Sequence, residues 1–501
     1  MGGVEELNRT AATVVVGSGR GRHADGMQRL TQASAPPEGL MAGSLRRRSL
    51  RPVSLHVSPV VIGAGMSGIA AACHLADQGL RPILLESRPY LGGRTRSFRH
   101  EGSGDEIDNG QHLMMGCYHS TFRLLNMLGT RDLVTIQRPL QVEFRDADGT
   151  IDRLSAPSFL PSPLALAVGM ARLQRLTAAE RRAAIRLGLS ARFSPPRSDE
   201  TVHQWLSRHR QSQRLQDRLW APMAIATLNA YPDQASATLF AEVLRRGFLA
   251  WGDDARLAIP RCGLSRLIEP SRRFIHDRGG RVGTRCPVSS VQRGSDGLYI
   301  VRLRSGEEVV ATDVISALPA RNAASVLASW FQGEDVRYGI TDTSPIVSLY
   351  LWYDHDPEDL PMFTALLGTR VQWVFNRRRI DQSDQRGRHA GLVSCTISAA
   401  FADAVDDATM LIAVADAELR QAIPSLAQAR LMDALAIKEK HATFHATPEN
   451  ERLRPLAEGL RGERIILAGD WTATGLPATI EGGVASGFRA AEILVRNISA
   501  G

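Results

Sequence analysis

The sequence predicts an α/β protein in which a Rossmann-like lobe is built from both ends of the chain and a partly helical lobe is inserted between them. Residues 57 to 86 run as an apolar strand, a glycine turn, an Ala-rich helix and a second apolar strand, which is a βαβ unit. Residues 464 to 497 have the order strand, glycine-containing loop and helix. The sequence between these ends is mostly helical by its period, with several short strands.

The length supports two lobes, because a chain of 501 residues exceeds the size at which a single core usually stops growing. We expect the first lobe to comprise residues 56–145, 258–335 and 455–501, and the second to comprise residues 146–257, which are mostly helical, and 336–454. Residues 1–55 precede both lobes and are rich in Arg, Ser, Gly and Pro. Such a composition buries too little apolar surface to offset chain entropy, so we expect a disordered basic extension there.

The hydrophobic periods predict the individual elements. Helices are predicted at residues 69–78, 164–193, 201–250, 404–422, 425–435 and 480–497. Strands are predicted at residues 57–62, 82–86, 282–288, 298–303, 309–315, 346–353 and 464–468. In the helical middle, the predicted core positions are Trp205, Leu219, Trp220 and Phe240.

The composition is that of a soluble globular protein, with 44% hydrophobic and 22% charged residues. The formal net charge is +8, and much of the excess lies in the first 55 residues. The alternative is that basic charge attracts anionic membrane surfaces or substrates. No basic stripe is interleaved with aromatic residues, so we expect no nucleic-acid partner. No run of about 18 apolar residues lacks charges and breakers, so no transmembrane helix is predicted.

The cysteines and histidines suggest no metal site. The five cysteines are scattered, and none lies within metal-ligand spacing of another. An odd, scattered set predicts reduced thiols in a cytoplasmic protein. The 13 histidines form no H-E-x-x-H pattern.

The first motif that carries chemistry is the glycine turn from Gly63 to Gly68. Glycines allow the tight turn and the close approach of backbone to a pyrophosphate, whose charge then lies at the N-terminus of the following helix. Glu86 ends the second strand, where a carboxylate can accept a hydrogen bond from a ribose hydroxyl. A glycine turn alone is a weak signal, but this one follows a strand and opens a helix.

Two further motifs distinguish FAD from NAD. Residues 88 to 96 contain a second glycine pair and Arg94, whose forked guanidinium suits a phosphate. Far along the chain, residues 467 to 483 begin with a strand that ends at Gly469 and Asp470. The carboxylate can bind a ribityl chain or, through water, the diphosphate. The following helix begins near Thr479, and its free N–H groups can face the N1/O2 edge of a flavin.

This order of motifs resembles that of the flavin amine oxidase and phytoene desaturase superfamily. Within the superfamily, the chain is similar to the hydroxysqualene dehydroxylases, the squalene-associated FAD-dependent enzymes of bacterial hopanoid pathways. The similarity spans residues 57 to about 497. It is carried by residues 108–112, 361–363, 371–376, 438–444 and 468–482, of which 108–112 and the C-terminal motif are the most discriminating.

The resemblance implies FAD contacts from Gly63, Gly65, Met66, Ser67, Gly68, Glu86, Ser87, Gly92, Gly93, Arg94, Gly110, Val288, Gly469, Asp470, Thr479 and Ile480. Val288 would present its backbone to the adenine. Residues 108 to 112 would lie near the isoalloxazine ring.

The resemblance also implies a reaction, the reductive removal of the hydroxyl of hydroxysqualene to give squalene and water. This chemistry needs a hydride from the reduced flavin and an acid that protonates the departing hydroxyl. The candidate acids are His112 and Glu481, with Asp108 as a candidate orienter. In the alternative, His112 only hydrogen-bonds backbone and Glu481 only caps a helix.

The implied substrate is a hydrophobic triterpene, which needs a long apolar pocket. Residues 159 to 176 suit an amphipathic entrance at the inner face of the membrane, with basic flanks at Arg172 and Arg175, although a buried helix is the alternative. Candidates for the aromatic pocket wall are Trp251, Trp373 and Phe375. Upstream enzymes of squalene synthesis are candidate partners.

Three other functions compete. A carotenoid or dehydrosqualene desaturase would run oxidation on a similar oil. An amine oxidase would be expected to carry an aromatic pair near the C-terminal motif, which Trp471 alone does not form. A non-catalytic prenyl or lipid escort shares the scaffold, but Glu86, Arg94 and Asp470 favour a bound flavin.

Overall fold

The computed structural model describes residues 58–190, 194–330, 342–382, 386–458 and 463–500. The extension expected at residues 1–55 therefore lies outside the described residues, as do the last three residues of the helix predicted at 164–193. Within the described ranges, the strands form two seven-stranded sheets, a two-stranded sheet and a three-stranded sheet.

The first sheet joins strands from the two ends of the chain and from its middle. Its order begins with Arg281–Gly283, Ile83–Leu85, Ser58–Ile62 and Glu308–Ser316, and these four strands are parallel to one another. The strand Ile465–Leu467 also pairs in parallel with Glu308–Ser316. The antiparallel strands Tyr299–Leu303 and Val288–Arg293 complete the sheet. Every residue of Ser58–Ile62 is buried, as expected of a parallel strand covered on both faces.

The second sheet is mostly antiparallel, and its order is Leu431–Phe444, Thr343–Tyr353, Gly391–Ser398, Trp373–Asn376, Phe363–Leu367, Leu140–Asp146 and Ile151–Ala156. Alternation along the strand Thr343–Tyr353 separates two environments. Val347, Leu349 and Leu351 pack in one cluster with the helix Ala408–Ala422. On the other face, Tyr350 and Trp352 pack against Ile107.

The two-stranded sheet pairs Ser97–Arg99 with Glu106–Asp108. The three-stranded sheet has the order Met114–Met115, Leu257–Pro260 and Val134–Ile136. The α-helices are Met66–Asp77, His119–Leu128, Ser162–Ala171, Ala178–Ser190, Val202–Arg208, Gln213–Leu215, Ala221–Leu228, Ala237–Val243, Leu264–Ile268, Ser271–Asp277, Ala320–Val326, Arg377–Ile380, Ala408–Ala422, Pro448–Leu453 and Ile480–Ala500. Single 3-10 turns are Arg131–Leu133, Gly252–Ala255, Ala328–Trp330 and Pro424–Leu426, and π-helical turns are Gln216–Trp220 and Leu244–Phe248.

The predicted core of the helical middle is confirmed, because Trp205, Leu219, Trp220 and Phe240 are all buried. None of the helices in the described part of the chain is long and apolar enough to cross a membrane.

The helix predicted at residues 425–435 is wrong. After the 3-10 turn Pro424–Leu426 the chain enters the strand Leu431–Phe444, which pairs along most of its length with Thr343–Tyr353. The Leu and Ala residues of this segment favour a helix by local propensity. Pairing with the largely buried strand Thr343–Tyr353 overrides that preference.

The single strand predicted at residues 282–288 is also wrong, because two strands meet there. Arg281–Gly283 pairs with Ile83–Leu85, and Val288–Arg293 pairs with Tyr299–Leu303. The chain turns between them at Arg285, whose φ is +58°, and the Cys286 N–H donates to the Glu86 carbonyl at 2.8 Å.

The domain boundaries remain predictions, and the boundary expected at residue 145 falls inside a strand. Leu140–Asp146 pairs in parallel with Phe363–Leu367 and forms a hairpin with Ile151–Ala156. The second sheet therefore includes residues that the expected boundary assigns to the first lobe.

The helices Met66–Asp77 and Ile480–Ala500 cross closely beside the first sheet. A Cβ on Gly487 would collide with the carbonyl oxygen of Ser67, so only glycine allows this approach. By contrast, a Cβ on Gly483 would have Met66 Cβ as its nearest neighbour, at 3.9 Å. The crossing sets where the two helix N-termini lie relative to each other.

We predict that Gly487→Ala lowers the free energy of unfolding by about 1–3 kcal/mol, because the added methyl group overpacks the helix crossing. Gly483→Ala is the matched control on the same helix. It should be neutral or stabilise by up to about 1 kcal/mol, since alanine favours helix and the space is open. Denaturant unfolding of both FAD-free variants checks this, and equal stability of the two variants would contradict the packing argument.

Candidate flavin site

The glycine turn lies at the carboxyl end of Ser58–Ile62, and its backbone requires glycine at two positions. Gly63 has a φ of +97°, and its N–H donates to the Leu85 carbonyl at 2.7 Å. A Cβ on Gly68 would collide with the carbonyl oxygen of Gly63. The turn is therefore packed tightly against both the strand and the first turn of the helix.

Gly65 differs from these two glycines, because a Cβ at this position would meet nothing within 4 Å. Gly65 is the N-cap of the helix Met66–Asp77, which has no side-chain cap and no acidic residue in its first turn. The first turn of this helix, which includes Met66 and Ser67, therefore carries a partial positive charge next to the open space at Gly65. This arrangement fits a phosphate group.

Glu86 is buried and held by its own neighbours. Its Oε2 accepts from the Ala64 N–H at 2.8 Å, and its Oε1 accepts from the Arg88 N–H at 2.8 Å and from the Ser87 hydroxyl at 3.0 Å. These bonds fix the carboxylate at the end of its strand. A carboxylate has about four acceptor positions, so capacity remains for a ribose hydroxyl.

The second glycine pair lies directly against the first turn. The Gly92 N–H donates to the Ala64 carbonyl at 2.8 Å, and a Cβ on Gly93 would lie 3.2 Å from the Cα of Gly65. Both glycines have positive φ, at +99° and +58°. The two N-terminal motifs therefore form one continuous backbone surface.

Arg94 joins this surface to the C-terminal motif. Its Nη2 donates to Asp470 Oδ2 at 2.7 Å, across 376 residues of sequence, and its Nη1 donates to the carbonyl of Ala442. The Asp470 carboxylate raises the pKa of Arg94 above its usual range. Gly469, with a φ of +150°, donates its N–H to the Ser486 hydroxyl at 2.9 Å and so anchors this end of the motif.

The helix Ile480–Ala500 begins where the sequence predicted, directly after Thr479. Ile480 is buried at its first position, and Thr479 precedes it beside the half-buried Tyr118. Val288 begins a strand two residues after Cys286, whose N–H donates to the Glu86 carbonyl. The structure thus brings the predicted cofactor residues from four distant parts of the sequence to one region. Their individual contacts with FAD remain predictions.

The segment from Asp108 to His112 is held by a buried charge pair. Asp108 Oδ1 accepts from the Ser97 hydroxyl at 2.7 Å and from the Leu264 N–H at 2.9 Å. Its Oδ2 lies 3.3 Å from Nη1 of Arg377, and both side chains are almost fully buried. Arg377 also donates to Gln111 Oε1 at 2.5 Å.

One ring nitrogen of His112, Nδ1, is hydrogen-bonded to the backbone. Its Nδ1 lies 2.7 Å from the carbonyl oxygen of Gly110, and a carbonyl can only accept, so Nδ1 carries a proton. Burial lowers the pKa of His112 below 6.5, and the charge of Arg94 lowers it further. Asp108 acts against this shift without a direct bond to the ring.

Glu481 makes contacts of a different kind. Its Oε1 accepts from the Ser120 N–H at 2.9 Å, and its Oε2 accepts from the Thr121 N–H at 2.8 Å and hydroxyl at 2.7 Å. These groups open the helix His119–Leu128, so the carboxylate satisfies its first N–H groups. These contacts match the alternative given above for Glu481, a helix cap.

Two predicted pocket-wall aromatics face inward and one does not. Phe375 is buried and packs against Phe363, and Trp373 is partly buried beside the same ring. Trp251 is 69% exposed, so its prediction as a wall residue is wrong.

Sequence reasoning missed Arg377, which orders the segment that carries Gly110, Gln111 and His112. Its partners are 269 and 266 residues away in the sequence. The available signal was the run Arg377-Arg-Arg directly after a buried strand, where a basic residue has to find a partner.

The chain is similar to known flavin-dependent proteins over most of its length. The family model for flavin containing amine oxidoreductases matches residues 66–495. A hydroxysqualene dehydroxylase of Rhodopseudomonas palustris is 32% identical over 87% of this chain and 97% of its own length. A hydroxysqualene dehydroxylase of Sinorhizobium fredii is 29% identical over 86% of this chain and 97% of its own length. A 15-cis-phytoene desaturase of Glycine max is 23% identical over 90% of this chain and 80% of its own length.

Solved structures share the fold. An oxidoreductase from Methanosarcina mazei aligns with a TM-score of 0.66 at 18% identity, covering 87% of this chain and 99% of the other. Putrescine oxidase aligns with a TM-score of 0.65 at 16% identity, covering 88% and 99%. Because the family model covers most of the chain and the fold agrees, this chain belongs to the family of flavin-containing amine oxidoreductases.

Proposed function

We propose that this protein is an FAD-dependent oxidoreductase that reductively removes the hydroxyl of hydroxysqualene to give squalene. The observation that carries the proposal is the placement of His112, one nitrogen fixed on Gly110, in a segment that a buried Asp108–Arg377 pair holds. Similarity to dehydroxylases over most of the chain supports the substrate. When bound, FAD supplies the hydride. Gly63, Gly65, Glu86, Arg94 and Asp470 would hold it.

His112 is the proton donor in this proposal. With Nδ1 bonded to the Gly110 carbonyl, a proton for the substrate hydroxyl must come from Nε2, and therefore from the doubly protonated ring. Burial disfavours that charged form, and Asp108 favours it. A cation poised in this way transfers its proton readily once a hydroxyl accepts it.

Asp108 and Glu481 take other roles. The carboxylate oxygens of Asp108 accept hydrogen bonds from Ser97, Leu264 and Arg377. Asp108 therefore positions residues 108–112 and does not contact the His112 ring. Both oxygens of Glu481 accept from the start of a helix, which argues against proton donation.

The second sheet supplies the apolar wall. Phe363 and Phe375 are buried on the face that also carries Ser348, whose hydroxyl would lie 3.1 Å from a Cβ on Gly110. This face therefore lies next to the His112 segment. A dry wall of aromatic rings shields a carbocation from capture by water after the hydroxyl leaves.

A desaturase acting on a related polyene is the second candidate. The observation that favours it is the similarity to phytoene desaturases over 90% of this chain, at 23% identity. The two reactions run the flavin in opposite directions. A proton donor at His112 is needed only when a hydroxyl leaves as water, which favours dehydroxylation.

The proposal includes a peripheral position at the inner face of the membrane, in the cytoplasm, where upstream enzymes of squalene synthesis would deliver the oily substrate. Phe159 is 84% exposed and Leu164 59% exposed, and Trp251 adds an exposed indole. A cavity of about 320 Å³ is lined by Cys117, His119, Arg245, Arg246, Ala250 and Asp254. Apolar side chains next to arginines suit an anionic bilayer surface.

The reaction is tested by incubating the FAD-loaded protein with hydroxysqualene under reducing conditions and with squalene under oxidising conditions, followed by product analysis. We expect squalene from the first incubation and no new product from the second. Unchanged hydroxysqualene together with a desaturated polyene would replace the proposal with the desaturase. Flavin absorbance of the purified protein excludes the lipid escort.

We predict that His112→Gln lowers kcat about 10²–10⁴-fold, the usual contribution of a general acid, with FAD content unchanged. The wild-type rate should rise as the pH falls through the His112 pKa, which lies below 6.5, because only the protonated ring can donate. The variant should lack this rise. Rates measured between about pH 5 and 8 check both statements.

Glu481→Gln separates the two candidate acids. It should lower the free energy of unfolding by about 1 kcal/mol, as loss of a helix cap does, while the pH profile of the loaded enzyme keeps its shape. A flat pH profile in Glu481→Gln and a normal profile in His112→Gln would reverse the assignment.

We predict that Phe159→Glu with Trp251→Glu weakens sedimentation with phosphatidylglycerol vesicles about tenfold or more, since each buried aromatic contributes about 1.5–3 kcal/mol. Val405→Glu is the control, because Val405 is also highly exposed, at 79%, but lies on another part of the chain. Equal weakening by the control, or none by the double variant, would contradict the proposed surface.

A further inference from the structure

Arg454 lies where the chain passes from the second sheet back to the first, and its side chain is fully buried. It follows the short helix Pro448–Leu453 and precedes the strand Ile465–Leu467. Its only carboxylate partner among the described residues is Glu451, at 2.8 Å. A buried guanidinium with such limited charge compensation is costly unless it holds something in place.

What Arg454 holds is the loop that presents Asp470. Its Nη2 donates to the Asp470 carbonyl at 3.1 Å and to the Thr474 hydroxyl at 3.0 Å. Its Nη1 donates to the Leu476 carbonyl at 2.9 Å. One planar group therefore binds the beginning, the middle and the end of the loop.

Asp470 is thus fixed from two sides. Its carboxylate faces Arg94 at 2.7 Å, while its backbone carbonyl is bound by Arg454. The hydroxyl of Thr472 also bonds the Ser486 hydroxyl at 2.7 Å, which connects the loop to the last helix. The backbone bond leaves the Asp470 carboxylate available for its role at the flavin site.

The same arginines connect the loop to the second sheet. The Arg454 guanidinium lies 4.8 Å from the centre of the Phe444 ring, and the Ala442 carbonyl accepts from Arg94. Both residues lie at the end of the strand Leu431–Phe444. Arg454 and Arg94 therefore both link the loop to the end of this strand.

We propose that Arg454 is a positioning residue for FAD, which sets the shape of the loop 469–476 and couples it to the end of the strand Leu431–Phe444. The proposal depends on the flavin site and not on the identity of the substrate. Lysine cannot replace it, because a single ammonium does not reach three separated loop acceptors and stack on a ring at once. Arg452, two residues earlier, is exposed and offers a matched control.

The test measures FAD affinity of the full-length FAD-free protein by quenching of flavin fluorescence, together with the melting temperature without FAD. We expect Arg454→Lys and Arg454→Met to raise the Kd for FAD at least tenfold and Arg452→Gln to leave it within twofold. Thr474→Val removes one of the three loop acceptors of Arg454, together with the bond that the Leu476 N–H makes to the same hydroxyl, and leaves the Arg454 charge paired with Glu451. It should raise the Kd by a smaller factor. Excess FAD should restore the flavin absorbance of Arg454→Lys.

The outcomes separate positioning from general folding. If Arg454→Lys binds FAD as the wild type does, the proposal is overturned. It is also overturned if the melting temperature falls in Arg454→Lys while Thr474→Val leaves the Kd unchanged, because Arg454 then acts only on stability. Failure of hydroxysqualene turnover with normal FAD affinities would leave this inference intact and count against the substrate.

Discussion

The close crossing of two helices is the constraint on which the flavin site depends. Met66–Asp77 and Ile480–Ala500 begin at the same region, one after the glycine turn and the other after the C-terminal motif. Their N-termini can both face one ligand only if the helix axes approach closely, and Gly487 against Ser67 permits this. Two partial positive charges then converge, which favours a diphosphate at one end and an electron-rich flavin edge at the other.

Charge pairs position segments of the chain that backbone turns do not fix. Asp108 and Arg377 are almost completely hidden, and Arg94 and Asp470 join opposite ends of the chain. The buried Asp108–Arg377 pair contributes little net stability, because desolvation offsets its attraction. Their value here is geometric, because each pair fixes the position of a segment that we propose faces the cofactor.

The sequence predicted those parts of the site whose shape is set locally. Gly63 and Gly68 predict a tight turn because no other residue fits there. The apolar run before them predicts the strand. The segment after Pro424 misled because its Leu and Ala residues suit a helix, while its strand depends on a partner about 90 residues earlier. Arg377 and Glu481 could not be assigned for the same reason, since their roles follow from contacts made across hundreds of residues.

The contact of Ala442 with Arg94 has a consequence for how the protein matures. During synthesis, the βαβ unit at residues 58–86 emerges first, yet its phosphate-facing surface lacks Asp470 and the strand end until nearly the whole chain has left the ribosome. A nascent N-terminal fragment therefore presents an incomplete receptor. A complete FAD site therefore needs residues from both ends of the chain, and FAD bound there stabilises the finished protein by mass action.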